Sequence, residues 1–257
     1  MPSANALRLQ IERTIESRFP AALSAAPRTV RETAPVGIAA IDNLLLGGLP
    51  IGAISEITGP STSGRTALAL SFVAQRTSEG KVCAWVDVSD ALDPESAAAS
   101  GVSLRQLLWV RCASGAERTK GKPWSRLDQA MRATDLVLQA GGFAAIVLDM
   151  GDIPEEFARR IPLATWYRFR QAADQSRSCL VVVGNAGYAQ SSAAVALDCL
   201  PLRAVEASQT VLEVCVFDVR LKRQRDASEM GAMRKPPVST WTAQSAWATG
   251  TKGRAER

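Results

Sequence analysis

Between residues 53 and 219 the chain alternates short, nearly continuous apolar runs with longer stretches whose apolar residues recur at helical spacing. The runs at 53–58, 81–88, 107–112, 144–149, 178–184 and 210–219 predict strands. The stretches at 66–75, 93–99, 102–107, 125–140 and 154–175 predict helices or short helical pieces. Gly141 and Gly142 end the helix that precedes them, and Pro162 kinks or divides the last one. Strands that are apolar throughout and alternate with helices imply a parallel sheet covered on both faces. The expectation is an α/β fold: a mostly parallel central sheet with helices on both faces.

The flanks follow a different pattern. Leu7, Ile11 and Ile15 share one face of an amphipathic helix over 5–19. Such a helix either packs on its own domain or docks on a neighbouring subunit. Residues 21–35 are rich in Ala, Pro and Thr and read as a linker. Beyond Asp226 periodicity is lost, and 230–257 carries Pro236-Pro237, small polar residues, Trp241 and Trp247. The expected organisation is an N-terminal helix and linker at 1–35, a core at 36–225, and a basic, flexible tail at 226–257. The tail's tryptophans are candidate anchors for a partner.

Composition narrows the chemistry. Apolar residues make up 47% and charged residues 21% of 257 positions, as in ordinary globular proteins. No apolar run approaches the roughly 18–20 residues that cross a bilayer, and no secretory signal is visible at the N-terminus. Cys83, Cys112, Cys179, Cys199 and Cys215 form no CxxC pair, which points to buried free thiols in a cytoplasmic protein. The absence of histidine excludes His-based acid–base chemistry and His-containing metal sites. The net charge of +5 permits nucleic-acid binding without requiring it. Much of the excess lies after residue 219, beginning with Arg220, Lys222, Arg223 and Arg225.

One segment carries specific chemistry. Gly59-Pro60-Ser61-Thr62-Ser63-Gly64-Arg65-Thr66 has the spacing of a phosphate-binding loop, between an expected strand and an expected helix. Gly64 lets backbone approach phosphate oxygens, and the helix N-terminus turns amides and dipole toward an anion. The Thr66 hydroxyl is a candidate Mg²⁺ ligand. Arg65 stands where the motif has lysine; it keeps the charge, but a planar fork does not reproduce a compact ammonium bridging two phosphates. Asp149, closing the apolar run from Ala145, is the candidate second Mg²⁺ carboxylate.

These residues extend to a family likeness. Ile41-Asp42, Leu49-Pro50-Ile51-Gly52, the run Ile54–Thr58 into the loop, Ala84-Trp85-Val86-Asp87, Ala91-Leu92-Asp93-Pro94 and Gly101-Val102 together resemble the RecA core. The likeness spans about 5–225 and includes the helix around Gln10-Ile11-Glu12, which looks like the family's polymerisation helix. It implies an ATP- and Mg²⁺-dependent, DNA-associated protein of recombination and the SOS response. Gly59, Gly64, Thr66 and Asp149 match the family pattern. The family's catalytic glutamate position is Ser89, with Asp90 adjacent as a substitute, and its glutamine sensor position is Asn185. The stretches after Asp149 and Asn185, where the family binds single strands, look short. A shortened core with altered catalytic positions resembles the ImuA branch, which works with an ImuB-type Y-family polymerase homologue in translesion synthesis.

Three functions follow as expectations. The first is a RecA-like accessory protein with a degenerate ATP site, acting through protein partners and possible DNA contact. The second is a working DNA-dependent ATPase that binds single-stranded DNA and associates with itself or with RecA. The third is a nucleotide-free scaffold. The cluster Arg220, Lys222, Arg223 and Arg225 is either an interface or DNA-contacting patch or a solvated strand end. Arg118, Lys120, Lys122 and Arg126 around Trp124 read as an exposed basic loop, and Trp166 and Phe169 as core packing.

Overall fold

The computed structural model describes residues 31–112, 123–151, 153–208, 211–225 and 236–244. The expected helix over 5–19, the loop at 115–122 and the stretches 226–235 and 245–257 lie outside them. Two short strands, β1 (Thr33–Ala34) and β2 (Leu49–Pro50), pair antiparallel around α1 (Ala39–Leu44). The alternating core follows: β3 (Ile54–Thr58), α2 (Arg65–Ser78), β4 (Cys83–Asp87), α3 (Pro94–Ala99), β5 (Leu107–Arg111), α4 (Pro123–Ala140) and β6 (Ala145–Asp149). Then come α5 (Glu155–Ala158), α6 (Leu163–Ser176), β7 (Cys179–Gly184), β8 (Ala193–Ser208), β9 (Val211–Gln224) and β10 (Val238–Gln244).

Eight strands form one sheet in the order β10-β9-β8-β3-β7-β6-β4-β5. The six from β8 to β5 run parallel, while β9 is antiparallel to β8 and β10 to β9. Strand alternation builds a core on each side. Cys83, Trp85, Ala145, Val147, Val181 and Val183 face α2 with Leu68, Phe72 and Val73. Ala84, Val86, Ile146, Leu148, Leu180 and Val182 face α4 and α6 with Leu127, Leu138, Trp166 and Phe169. The Trp166 and Phe169 rings meet edge to face at 6.0 Å, as the core reading requires, while Tyr167 is exposed. This is the α/β, mostly parallel architecture that the pattern implies.

Several expectations change. The linker over 21–35 ends in a strand, since Thr33 and Ala34 pair with Pro50 and Leu49. The helix expected over 154–175 is divided at Pro162, as that residue implies, and Pro162 takes the N-cap position of α6. Residues 193–208 form β8, for which no element was expected. The strand expected over 210–219 runs on to Gln224 and carries the basic cluster with it. Val238–Gln244, taken as part of a flexible tail, is a strand on the sheet edge. Its Trp241 is buried, with its ring 5.0 Å from that of Phe217. An apolar partner in the sheet converts a segment without periodicity into a strand.

Candidate nucleotide-binding site

β3, β4, β6 and β7 all end at one edge of the parallel sheet, and the loops leaving them converge there. β3 runs into the loop 59–64, which opens α2 at Arg65. Thr62 and Gly64 take left-handed backbone conformations, φ 64° and 81°. Gly64 is required twice over: besides its φ, a Cβ there would meet the Phe217 ring at 2.8 Å. The first-turn amides of α2 therefore open onto a cavity, as a phosphate-binding loop demands. That cavity, of about 610 Å³, is lined by Ser61, Thr62, Ser63, Gly64, Arg65 and Thr66 from the loop. Asp87, Ser89, Asp93, Ser96, Asp149, Cys215 and Phe217 complete its walls.

Arg65 is the decisive side chain. It is 7% exposed. Its Nη1 donates to the Gly59 carbonyl and to Asn185 Oδ1, and its Nη2 donates to the Gly151 carbonyl at 3.1 Å. One guanidinium thus joins the phosphate loop to the ends of β6 and β7. A buried guanidinium needs such acceptors, because an unpaired charge out of water is costly. The Gly151 amide in turn donates to Asp149 Oδ1 at 3.0 Å. Arg65 therefore lines the cavity with its donors turned onto protein oxygens.

Thr66 and Asp149 line the same cavity, so a hydroxyl and a carboxylate suited to Mg²⁺ stand together. The loop geometry and this pair fit a nucleotide phosphate with its metal; the residue in the lysine position, Arg65, is bonded to protein oxygens. Asn185, at the end of β7, reaches the site only through Arg65.

Three acidic residues at the end of β4 and after it take different roles. Asp87 is fully buried; it accepts the amides of Ala91 at 3.0 Å and Leu92 at 2.8 Å, and the Trp109 indole N–H at 3.2 Å. It holds the loop after β4, which takes three of the carboxylate's acceptor positions. Asp90, the candidate substitute carboxylate, receives both arms of Arg111 at 2.6 and 2.7 Å and is not among the cavity's lining residues. Its backbone is left-handed, φ 57°, which turns the side chain toward β5. Ser89 does line the cavity, and it offers a hydroxyl and no carboxylate. Asp93 caps α3 through the Ser96 amide at 2.9 Å, and hydrogen bonds from the Ser96 hydroxyl and amide hold its carboxyl below the usual range.

Two contributors carry no mark in the sequence. Glu56 lies within β3, 3% exposed, and accepts the amides of Tyr188 at 2.6 Å and Ala189 at 2.7 Å. Burial pushes its carboxyl up, against the lowering effect of those amides and of Arg223. Phe217 reaches the cavity from β9. Of the basic cluster, Lys222 pairs with Asp198 at 3.1 Å, Arg223 donates to the Gln190 carbonyl, and Arg220 is exposed. The register between β8 and β9 shifts beside Lys222, so the four do not form one continuous face.

Sequence comparison agrees with this geometry. Residues 5–151 match the model of the RecA N-terminal domain. The chain belongs to the RecA family. Protein RecA of Brucella anthropi is 38% identical over 125 residues, covering 48% of this chain and 31% of that protein. Protein RecA of Allorhizobium ampelinum is 37% identical over 142 residues, covering 54% and 36% respectively. The chain thus aligns with about a third of the length of these curated relatives. The match to the RecA domain ends at Gly151, two residues past Asp149, so Asn185, β8, β9 and β10 lie beyond it. No helix among the described residues is long and apolar enough to cross a membrane.

Proposed function

We propose that this chain is a RecA-related accessory protein of DNA damage tolerance, of the ImuA type, whose nucleotide site does not turn over ATP. The observation that carries this reading is Arg65. Its guanidinium is committed to Gly59, Asn185 and Gly151, three oxygens of the protein itself. These bonds take three of the guanidinium's five N–H donors, and hydrogen bonds of charged donors contribute about 1.5–3 kcal/mol each, so turning the fork onto nucleotide phosphates works against them. The reaction also lacks a base: Ser89 has no carboxylate, Asp90 is held by Arg111, and Asp87 is consumed by two amides. The cavity with Thr66 and Asp149 supports weak Mg-ATP binding, in which the metal would neutralise phosphate charge. The loops after Asp149 and Asn185, tied down by Arg65 and Glu56, support work through protein partners, with an ImuB-type Y-family polymerase homologue as the expected one. Residues 1–35 and the residues beyond 244 are further candidate contacts.

ATP turnover by the purified protein, with and without single-stranded DNA, tests the reading beside Arg65→Lys. Wild type and Arg65→Lys are both expected to remain at background, because restoring the lysine does not restore a base. DNA-stimulated turnover by wild type would make this a working motor-type ATPase and overturn the proposal. Failure to co-purify with an ImuB-type subunit encoded nearby would remove the partner assignment.

A further inference from the structure

At the end of the sheet away from the phosphate loop, where β3 begins, three arginines from distant parts of the chain meet. Arg31, Arg170 and Arg225 line a cleft of about 50 Å³, floored by Ala53, Ser192 and Ala194. Arg31 precedes β1, Arg170 comes from α6, and Arg225 follows β9. Arg31 is anchored by the Gly52 carbonyl at 2.8 Å and by Asp174 at 2.5 Å. Among the described residues, neither the Arg170 nor the Arg225 guanidinium has an acceptor. Asp174 offsets the charge of Arg31, but no carboxylate among the lining residues offsets those of Arg170 and Arg225, and like charges in one cleft repel. The arrangement supplies what an incoming oxyanion needs: forked donors, a hydroxyl at Ser192, and a floor of alanines that permits close approach.

Size and rim charge select the ligand. A buried water occupies on the order of 10–15 Å³ on the scale on which this cleft measures about 50 Å³. The cleft therefore takes one small oxyanionic group and no nucleobase. The rim is of mixed sign: Asp174 beside Arg31 and Glu32 beside Arg177 are both well exposed. A nucleic-acid strand brings successive phosphates, some of which would face these carboxylates. A peptide brings a single carboxylate with flanks of any charge. We infer that the Arg31–Arg170–Arg225 cleft is a docking site for an acidic side chain of a protein partner. The inference deepens the partner-mediated reading above and uses no residue of the nucleotide cavity.

A fluorescently labelled peptide with one glutamate between neutral glycine and serine flanks is the probe, with labelled hexathymidylate as its nucleic-acid counterpart, followed by anisotropy at low ionic strength. Saturable peptide binding is expected in the millimolar range or tighter. Arg170→Ala combined with Arg225→Ala should weaken it by about tenfold or more, the loss of one or two charge-assisted hydrogen bonds. Arg105→Ala, which removes an exposed cation just before the edge strand β5, should leave it unchanged. All three positions are surface arginines, so far-UV circular dichroism should match wild type. Peptide binding indifferent to the double substitution would overturn the inference, as would no saturable binding. Tighter hexathymidylate binding through the same arginines would also overturn it and make the cleft a nucleic-acid site. None of these outcomes depends on ATP turnover or on co-purification, so this site and the functional reading can fail separately.

Discussion

Glu56 shows how single residues divide between cost and use. It sits in the strand that delivers the phosphate loop, and one of its oxygens accepts two amides of the loop after β7. Burial raises its folded pKa above the ordinary 4.5. A carboxyl raised on folding binds more protons in the native state, so its contribution is fully present below 4.5 and is lost as pH rises through the folded value. Glu56→Gln keeps an oxygen for both amides and removes the titration. Its stability relative to wild type, measured by urea denaturation, should therefore grow as pH rises from 4.5 toward neutrality. The opposite slope would mean that the two amide bonds to the charged form outweigh burial. The cysteines supply a second expectation. Burial pushes Cys83 and Cys112 up to about 11, and Cys179 and Cys199 up to about 12. Cys215 is only half-buried and lines the nucleotide cavity. Peptide mapping after brief treatment with a thiol reagent should find Cys215 modified well ahead of the other four; equal labelling would mean that the core opens readily. Arg65 and Ser89 were legible in the sequence because a motif fixes their positions. Glu56 was not, because its partners lie 132 and 133 residues away.

Among elements, the antiparallel ribbon β8-β9-β10 departs most from expectation. β8 buries Val195, Leu197 and Cys199 on one face, but the small and polar residues between them mask the period of two. β10 is seven residues long, and its buried residue is Trp241 against Phe217. Phe217 rests in turn on Gly64. The ribbon is thus the wall behind the phosphate loop, and its edge strand is held by the aromatic pair, a ladder of backbone bonds and the Ser239 and Thr240 hydroxyls, which donate to the Ala40 carbonyl at 3.0 Å and to Asp218 at 2.7 Å. Trp241→Ala should destabilise the protein by about 3–5 kcal/mol. It should also raise amide exchange over Val214–Arg220, the β9 residues that pair with β10. A loss below about 1 kcal/mol would mean that β10 is dispensable. The two-residue strand β1 belongs to the same class: Ala, Pro and Thr carry no strand signal, and Leu49-Pro50 supplies the partner.

For the whole molecule, the strands end where the family's chemistry resides, but the connections there are held by the chain itself. Arg65 links three loops at that edge by hydrogen bonds of its own. A ligand at about 100 times its Kd stabilises by about 2.7 kcal/mol. Millimolar Mg-ATP should produce well under that in a thermal-shift titration. A full-sized shift would show that Arg65 gives way to phosphate. The sequence by itself determined the alternation of strands and helices, the two-sided burial, the loop at 59–66 and the absence of histidine chemistry. Each is written in neighbouring residues or in composition, which need no partner to be read. The tertiary structure alone decided where Arg65 points, that Asp90 belongs to Arg111, that 238–244 is a strand, and that Arg31, Arg170 and Arg225 share a cleft. These depend on contacts between residues far apart in the chain, and burial and hydrogen-bond satisfaction choose among such contacts only once the sheet has assembled.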